Sequence, residues 1–270
     1  MQDEGKPFVT ERVERREGES LWETVKVVLQ ALLIAFVIRT FFFQPFNIPS
    51  GSMIPTLLVG DYLFVNKLSY GYSKYSFNFS VSLFGTELFR FGPVPIEGRL
   101  FAAPPRRGDV VVFKLPSDPK TDYIKRIIGL PGDRIQVKGG VLYINGQAVK
   151  RERVEDYVVP DGPEAGRRIR RYRETLPNGV SYEVLDLYDG SIADDTEEYV
   201  VPPGHYFMMG DNRDNSTDSR FLDHVGYVPY ENLVGRAVII FYSHTPEMSL
   251  WQPWRWPFEI RWSRIGKWVK

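Results

Sequence analysis

The sequence predicts a mainly antiparallel β protein that follows one N-terminal transmembrane helix. Three observations lead to this prediction. An apolar run lies near the N-terminus, short segments rich in Val, Ile, Tyr and Phe follow residue 44, and Gly, Pro, Asn and Asp separate many of those segments. At 270 residues the chain is long enough for one large domain, or for a core domain with an elaborated insertion.

The apolar run extends from Trp22 to Phe43. A helix of that length rises roughly 33 Å, which is enough to cross a hydrocarbon core of about 30 Å. Lys26 and Arg39 lie near its ends, where their charged heads reach the headgroups. No small-x-small cleavage site follows, so we interpret residues 22–43 as an uncleaved anchor and not as a cleavable signal peptide. A buried core helix is the remaining alternative.

The short segment before the anchor, residues 1–21, determines the predicted orientation. It carries Lys6, Arg12, Arg15 and Arg16, and acidic residues count little in the positive-inside rule. We therefore expect a cytoplasmic N-terminus. The long part that follows the anchor is expected on the periplasmic or extracellular side, because long domains are translocated largely regardless of charge.

Seven stretches after residue 44 have the composition of strands: "DYLFVNKL", "GDVVVFKL", "DYIKRIIG", "DRIQVKGG", "VLYINGQAV", "HYFMMG" and "GRAVIIFY". Gly139 and Gly140 separate two of them and predict a hairpin turn. These stretches assign a catalytic β core to residues 44–150 and 199–245.

Three segments differ in composition from this core. Residues 151–198 are highly charged, which predicts a solvated insertion that forms a second lobe. Residues 69–101 alternate Gly and Ser with aromatic residues, and indicate an exposed apolar loop or ribbon of unassigned role. Residues 246–270 hold five of the six tryptophans together with Arg and Lys, a composition typical of a membrane–water interface. An ordinary aromatic core segment is the alternative for this tail.

Composition excludes several functions. Lysine plus arginine and aspartate plus glutamate both number 34, so no basic excess points to nucleic acid as a partner. The absence of cysteine excludes disulfides, a thiolate nucleophile and a Cys-ligated metal. The three histidines have no metal-ligand spacing. We therefore expect neither a metal site nor a cofactor.

The stretch "NIPSGSMIPTLLVGD" places Ser50 and Ser52 on either side of Gly51, between Pro49 and Pro55. A polar turn is the ordinary interpretation of such a sequence. A catalytic serine is the other, and it needs a positioned base because its hydroxyl is a poor nucleophile at neutral pH. Histidine, lysine and carboxylate all remain candidates for that base.

"TDYIKRIIGLPGD" supplies a candidate lysine. Strand alternation places Tyr123, Lys125 and Ile127 on one face, so Lys125 lies between apolar neighbours while Arg126 faces solvent. Burial would lower the pKa of this amine toward neutral pH. A solvated Lys-Arg pair at a strand edge is the alternative.

"MMGDNRDNSTDSR", residues 208–220, is a third polar cluster and directly follows a predicted strand. An exposed loop with side-chain to backbone hydrogen bonds is its default interpretation. The same residues can also hold a lysine in place and lock a loop through an Asp–Arg pair.

These motifs, taken in order, resemble the bacterial type I signal peptidases, membrane-bound Ser/Lys endopeptidases that remove signal peptides from exported proteins. The resemblance rests on the anchor, "IPSGSMIPTL", "RGDVVVF", "YIKRIIGLPGD" and "GDNRDNSTDSR". It implies a coiled, barrel-like antiparallel sheet, a single pass through the bacterial cytoplasmic membrane, and cleavage after Ala-x-Ala sites. It also implies preprotein signal peptides and membrane lipid as partners, close to the Sec/Tat export machinery.

The resemblance also implies roles for individual residues. Ser52 is expected to be the nucleophile and Lys125 the general base, with the Ser50 hydroxyl in the oxyanion hole. Ser216 is expected to orient the Lys125 amine. Structural support is expected from Asp218 and Arg220, and the shallow substrate pockets for small side chains from Ile48, Pro49, Met53, Leu57, Tyr123 and Ile124.

Three other functions compete with this one. A Ser/His/Asp triad would combine Ser52 with one histidine and an aspartate such as Asp211, although no spacing selects a histidine. Self-cleaving repressors share Ser/Lys chemistry, but they lack an anchor and carry a DNA-binding segment. From a different class, the chain could be an inactive membrane-tethered binding module. The presence of both Ser52 and Lys125 favours the enzyme.

Overall fold

A computed structural model describes residues 17–77, 79–83, 86–92, 94–249 and 251–270. The chain divides into two compact units, Met1–Ile38 and Arg39–Lys270. Most of the predicted cytoplasmic tail, residues 1–16, lies outside the described residues.

The first helix, α1, spans Glu17–Phe41. Its segment Leu21–Phe41 is long and apolar enough to cross a membrane, and none of it is buried against the protein. The helix ends at Phe41, and the first strand begins two residues later, at Phe43.

The second unit consists mainly of short strands. In chain order these are β1 (Phe43–Asn47), β2 (Asp61–Asn66), β3 (Phe79–Leu83), β4 (Thr86–Phe91), β5 (Val110–Lys114), β6 (Asp122–Gly129), β7 (Arg134–Lys138), β8 (Val141–Ile144), β9 (Gln147–Ala148), β10 (Lys150–Arg153), β11 (Tyr157–Val158), β12 (Arg168–Thr175), β13 (Ser181–Asp186), β14 (Tyr199–Val200), β15 (His205–Met209), β16 (Val228–Pro229) and β17 (Leu233–Ser243). A short helix, α2 (Trp256–Glu259), lies near the C-terminus.

The main sheet has seven strands in the order β1-β2-β17-β5-β6-β15-β16. A four-stranded sheet combines β10, β11 and β13 around β12, a second one has the order β14-β7-β8-β9, and β3 pairs with β4. The paired strands run antiparallel. The predicted mainly β fold with an N-terminal apolar helix is confirmed.

The seven strand-like stretches all form strands. The turn between β7 and β8 is at Gly139 and Gly140, whose φ angles are 53° and 74°. Both values lie in the left-handed region that two-residue hairpin turns require and that glycine adopts without steric cost. The predicted hairpin is therefore confirmed.

The hairpin β12–β13 belongs to the charged segment 151–198, yet one of its faces is buried. Leu176, Tyr182 and Val184 pack in the same cluster as Ile128 of β6 and Phe207 of β15. The charged side chains of this segment therefore lie on either side of a buried apolar face. This apolar face packs the hairpin against β6, the strand that carries Lys125.

One buried and one half-buried ion pair fasten the tryptophan-rich tail to the rest of the second unit. Arg264 binds Asp61 through two guanidinium nitrogens at 2.8 and 2.5 Å, and Arg261 binds Asp161 at 2.7 Å through two nitrogens. The Val269 amide donates to the Val238 carbonyl at the edge of β17. Arg261 and Arg264 thus face the protein, whereas Arg255, Lys267 and Lys270 are exposed.

Candidate active site

Ser52 lies on a turn of 3-10 helix, Gly51–Met53, between the end of β1 and β2. Apolar residues fix this turn from below, because Met53 and Leu57 are fully buried in the core cluster. The Leu57 amide donates to the Met53 carbonyl at 2.9 Å. The Ser52 side chain is therefore presented from a rigid base.

Lys125 lies on β6, with β5 on one side and β15 on the other. Its Nζ donates to Ser52 Oγ at 2.8 Å and to the Ile124 carbonyl at 3.0 Å. The lysine is 4% exposed. Burial lowers its pKa from 10.5 to about 8, and the negative charges of Asp218 and Asp211 oppose part of this shift.

Asp218 and Arg220 form a buried pair next to the site. Arg220 Nε and Nη2 donate to the two carboxylate oxygens, both at 2.9 Å, and the Gly210 amide donates to Asp218 Oδ2 at 3.0 Å. Arg220 also donates to the Arg213 carbonyl at 2.6 Å. The pair holds the two ends of the polar loop after β15 together.

Arg126 was expected to face solvent, and that expectation is wrong: the side chain is fully buried. Its guanidinium donates to both carboxylate oxygens of Asp211, at 2.8 and 2.7 Å, and to the Gly108 and Lys270 carbonyls at 2.8 and 3.0 Å. Thr56 Oγ1 also donates to Asp211. Strand alternation failed here because both faces of β6 are covered by protein.

A chain of buried polar groups continues from Arg126 into the hairpin β12–β13. The guanidinium lies 4.1 Å from the ring centroid of Tyr182. The Tyr182 hydroxyl donates to Glu174 at 2.9 Å, and Arg213 donates to both Glu174 oxygens at 2.7 and 2.5 Å. The hairpin β12–β13 thus supplies part of the packing behind β6.

Asn212 supports the serine turn directly. Its amide donates to the Ser52 carbonyl at 3.1 Å, and its side chain donates to the Gly51 carbonyl at 3.0 Å. Sequence reasoning did not single out Asn212, and it gave Asp211 only as the aspartate of an alternative triad. Both are part of the quoted run "GDNRDNSTDSR", so the signal was present without a residue-level assignment.

Ser50 and Ser216 are the other two serines for which the sequence predicts a role. The Ser50 and Ser52 hydroxyl oxygens are 3.5 Å apart. Ser216 is buried, and its Oγ accepts no hydrogen bond from a described residue. The Lys125 amine donates instead to Ser52 Oγ and to the Ile124 carbonyl.

An open cavity of about 700 Å³, which we call the catalytic cavity, is lined by the side chains of Ser52 and Lys125. Of the residues expected to shape the substrate pockets, Ile48, Pro49, Tyr123 and Ile124 lie on its wall, as do Ser50 and Ser216. Met53 and Leu57 do not line it and lie in the core beneath. The sequence did not single out the remaining wall residues, Phe46, Asn47, Val112, Thr121, Asp122, Asp214, Asn215, Thr217 and Phe221.

No histidine is among the described residues that line the catalytic cavity. His205 and His244 direct their Nδ1 atoms to the carbonyls of Pro203 and Thr245. A buried serine hydroxyl in contact with a buried amine, on the wall of an open cavity, defines a class of protein, the serine hydrolases.

Comparison with known proteins gives the family. The profile of the family described as "Signal peptidase, peptidase S26" matches residues 21–242. Signal peptidase I of Rickettsia canadensis (strain McKiel) is 44% identical over 217 residues, which cover 78% of this chain and 76% of that protein. Signal peptidase I of Rickettsia conorii (strain ATCC VR-613 / Malish 7) is 44% identical over 219 residues, with the same two coverages.

A solved structure is also similar. The crystal structure of a signal peptidase I from Enterococcus faecalis V583 shares 27% sequence identity, covers 50% of this chain and 97% of its own, and has a TM-score of 0.30. By the family profile and the curated relatives, this chain belongs to the signal peptidase family of S26 peptidases. It is a serine peptidase that cleaves signal peptides.

The buried Glu174 gives a stability prediction. Glu174→Gln leaves the Arg213 guanidinium opposite a neutral amide, so we expect the free energy of unfolding to fall by about 3 to 5 kcal/mol. Urea denaturation of the full chain in detergent, followed by circular dichroism, measures this loss. The matched control is Glu183→Gln on the same hairpin, whose half-exposed pairs with Arg171 and Arg173 should be worth less than about 1 kcal/mol. Equal losses in the two variants would contradict the prediction.

Proposed function

We propose that this chain is a membrane-bound Ser/Lys endopeptidase that cleaves preproteins after small-x-small sites such as Ala-x-Ala. The observation that carries the proposal is the 2.8 Å contact between Lys125 Nζ and Ser52 Oγ on the wall of the catalytic cavity. A lysine acts as a base only when it is neutral, and a pKa of about 8 makes a substantial neutral fraction available near neutral pH.

The proposed reaction begins when Lys125 accepts the proton of the Ser52 hydroxyl as Oγ attacks the carbonyl carbon before the scissile bond. The protonated lysine then gives its proton to the leaving amine, which departs and leaves an ester on Ser52. Water, deprotonated by the same amine, cleaves the ester and regenerates both side chains. Buried Ser216 borders this site, and its proposed role is to limit the positions of the lysine amine.

The negative oxygen of the tetrahedral intermediate needs hydrogen-bond donors. We assign this role to the Ser50 hydroxyl and the Ser52 amide, because the two serine oxygens lie 3.5 Å apart on one turn. One such donor typically contributes about 3 to 4 kcal/mol to transition-state stabilisation. Asp218 and Arg220 are proposed to keep the loop that borders the site in position.

The proposed specificity for small side chains comes from the apolar wall of the cavity. Ile48, Pro49, Tyr123 and Ile124 form that wall, and Met53 and Leu57 support it from the core. An alanine side chain needs only a shallow apolar depression, and a charged side chain would lose its hydration there.

The proposed location is the bacterial cytoplasmic membrane. Residues 22–43 would form the single anchor, with residues 1–21 in the cytoplasm and the catalytic part, residues 44–150 and 199–245, on the opposite side beside the Sec/Tat machinery. In this proposed division of the chain, residues 69–101 and 151–198 are insertions in the catalytic part. A span-length apolar helix with no buried residue supports the anchor.

We also propose that the tail, residues 246–270, contacts lipid. Trp251, Trp254 and Phe258 are 89%, 69% and 87% exposed, while Arg261 and Arg264 pair with buried or half-buried carboxylates of the protein. Indole rings exposed in this way prefer the membrane interface to water.

The first test compares processing of a preprotein with an Ala-x-Ala site by the detergent-solubilised wild type, Ser52→Ala and Lys125→Ala. We expect both variants to fold, as judged by circular dichroism, and to lose processing by at least about 10² to 10⁴-fold. Lys120→Ala removes an exposed lysine near β6 and serves as the matched control, with processing retained. Processing by a folded Lys125→Ala would indicate another base. No processing by the wild type would indicate a binding module.

A second prediction concerns pH. Since only the neutral amine of Lys125 accepts the proton, we expect kcat/KM to rise with pH and to reach half its maximum near pH 8. Burial, with a smaller effect of the Arg39 charge, also lowers the pKa of Lys67 to about 8, so the wild-type profile alone does not identify the lysine. Lys67→Met separates the two: an unchanged midpoint assigns the profile to Lys125, and a lost midpoint contradicts that assignment.

The third prediction tests the tail. In the variant with Trp251→Ser, Trp254→Ser and Phe258→Ser, we expect kcat/KM to fall several-fold for a vesicle-embedded preprotein and to stay the same for a soluble peptide, because only the first substrate depends on lipid contact. Val200→Ser, which changes an exposed apolar residue of β14, is the control. An equal effect on both substrates would show that the tail acts on folding or on the active site.

A further inference from the structure

Asn212 contacts both of the peptide units that flank Ser52. Its side-chain Nδ2 donates to the Gly51 carbonyl at 3.0 Å, and its backbone amide donates to the Ser52 carbonyl at 3.1 Å. The Gly51 carbonyl and the Ser52 N–H belong to one peptide unit, and the Ser52 carbonyl belongs to the next. One residue therefore restrains the backbone on either side of the proposed nucleophile.

The contact with Gly51 sets the direction of the Ser52 N–H. In a planar trans peptide the C=O and N–H groups point in opposite directions, so this N–H points away from Asn212. Asn212 is 4% exposed and does not line the catalytic cavity, whereas Ser50 and Ser52 do. The Ser52 N–H is therefore directed to the cavity side of the turn, where the proposed oxyanion would form.

The Gly51–Ser52 peptide depends on such a restraint. Glycine has no Cβ to limit rotation, so a peptide plane next to glycine turns more freely than one between two larger residues. Two groups donate to the Gly51 oxygen, Asn212 Nδ2 and the Ile54 amide, the latter at 3.2 Å. A hydrogen bond to this oxygen also makes the N–H of the same peptide a stronger donor, because hydrogen bonds in a chain polarise one another.

We propose that Asn212 is a positioning residue for the oxyanion hole. Its side-chain amide holds and polarises the Gly51–Ser52 peptide, so that the Ser52 N–H meets the oxygen that becomes negative as Ser52 Oγ attacks. This inference rests on the proposed function, and it adds a residue that acts through the backbone of the serine turn without contacting the substrate.

The other end of the Asn212 amide has no hydrogen-bond partner. Its Oδ1 is buried and accepts no hydrogen bond from a described residue, whereas Nδ2 binds the Gly51 carbonyl. The opposite orientation of the amide would place two acceptor oxygens against each other. A buried acceptor without a partner lowers stability, so packing alone would favour an apolar side chain at this position. The donor that reaches Gly51 is what distinguishes asparagine here.

The hairpin β12–β13 fixes the backbone around Asn212. The Leu185 amide donates to the Asp211 carbonyl at 2.9 Å, and the Arg213 amide donates to the Leu185 carbonyl at 3.0 Å. Asn212 lies between these two bonds and forms an isolated parallel bridge with Leu185. Its side chain therefore acts on the serine turn from a fixed position.

The experiment uses the full chain in detergent, a soluble peptide with one Ala-x-Ala site, and a peptide aldehyde with the same residues before the scissile bond. Ser52 Oγ would add reversibly to the aldehyde carbon, and the former carbonyl oxygen would then occupy the oxyanion position. Asn212→Leu removes the donor and keeps a branched side chain of similar size. We expect kcat to fall about tenfold at unchanged KM, and the inhibition constant of the aldehyde to rise by a similar factor.

This expected loss is smaller than the about 10² to 10³-fold that follows removal of an oxyanion donor, because the Ile54 amide still binds the Gly51 carbonyl. The midpoint of the pH profile should stay near pH 8, because the Lys125 amine keeps its contacts with Ser52 Oγ and the Ile124 carbonyl.

Asn232→Leu is the matched control. Asn232 is also 4% exposed, and its side-chain amide donates to the Lys114 carbonyl at 2.9 Å. This variant loses the same kind of buried hydrogen bond away from the serine turn. We expect its kcat, its KM and its inhibition constant for the aldehyde to equal those of the wild type.

Three results with a folded Asn212→Leu would overturn this inference and leave the proposed function intact: an unchanged kcat, a shifted pH midpoint, or a lower kcat with unchanged binding of the aldehyde. Asn212→Ala serves as the second variant if Asn212→Leu does not fold by circular dichroism. Loss of folding in both would assign Asn212 to stability alone and also overturn it. A wild type that cleaves neither the peptide nor the preprotein, and does not bind the aldehyde, overturns the proposed function and this inference with it.

Discussion

The buried ion pair between Arg126 and Asp211 is the interaction on which the site depends. A guanidinium without solvent must be paired and hydrogen-bonded, and Arg126 achieves this through Asp211 and the carbonyls of Gly108 and Lys270. Thr56, four residues after the serine, binds the same carboxylate. Because Lys125 directly precedes Arg126, this one pair fixes the strand of the lysine relative to the turn of the serine.

The same pairing explains how the lysine keeps a lowered pKa beside two carboxylates. Asp211 and Asp218 would each stabilise the ammonium form of Lys125, and their charges do oppose the shift. Arg126 and Arg220 bind these carboxylates through two hydrogen bonds each, and the positive charge of Arg220 lowers the pKa of the amine in turn. Burial then remains the largest effect on the amine.

Sequence reasoning located the contiguous motifs and missed the long-range contacts. Ser52 and Lys125 lie in short stretches whose residue types already suggest the proposed chemistry, and the structure brings the two side chains into contact. The burial of Arg126 could not be read from alternation, because β6 lies inside a seven-stranded sheet and both of its faces are covered. Tyr182 and Glu174 were hidden for a different reason: a charged composition indicates a solvated face, and the partners of these two side chains are distant in the sequence.

The hydrogen bond from Arg126 to the Lys270 carbonyl joins residues 144 positions apart, so the surroundings of the lysine have a high contact order. Contacts of this kind form late, after much of the chain has been ordered. Until then the Lys125 amine is solvated, titrates at about 10.4 and remains protonated at neutral pH. Under the proposed Ser/Lys mechanism, a newly synthesised chain is therefore latent until folding of the second unit is complete.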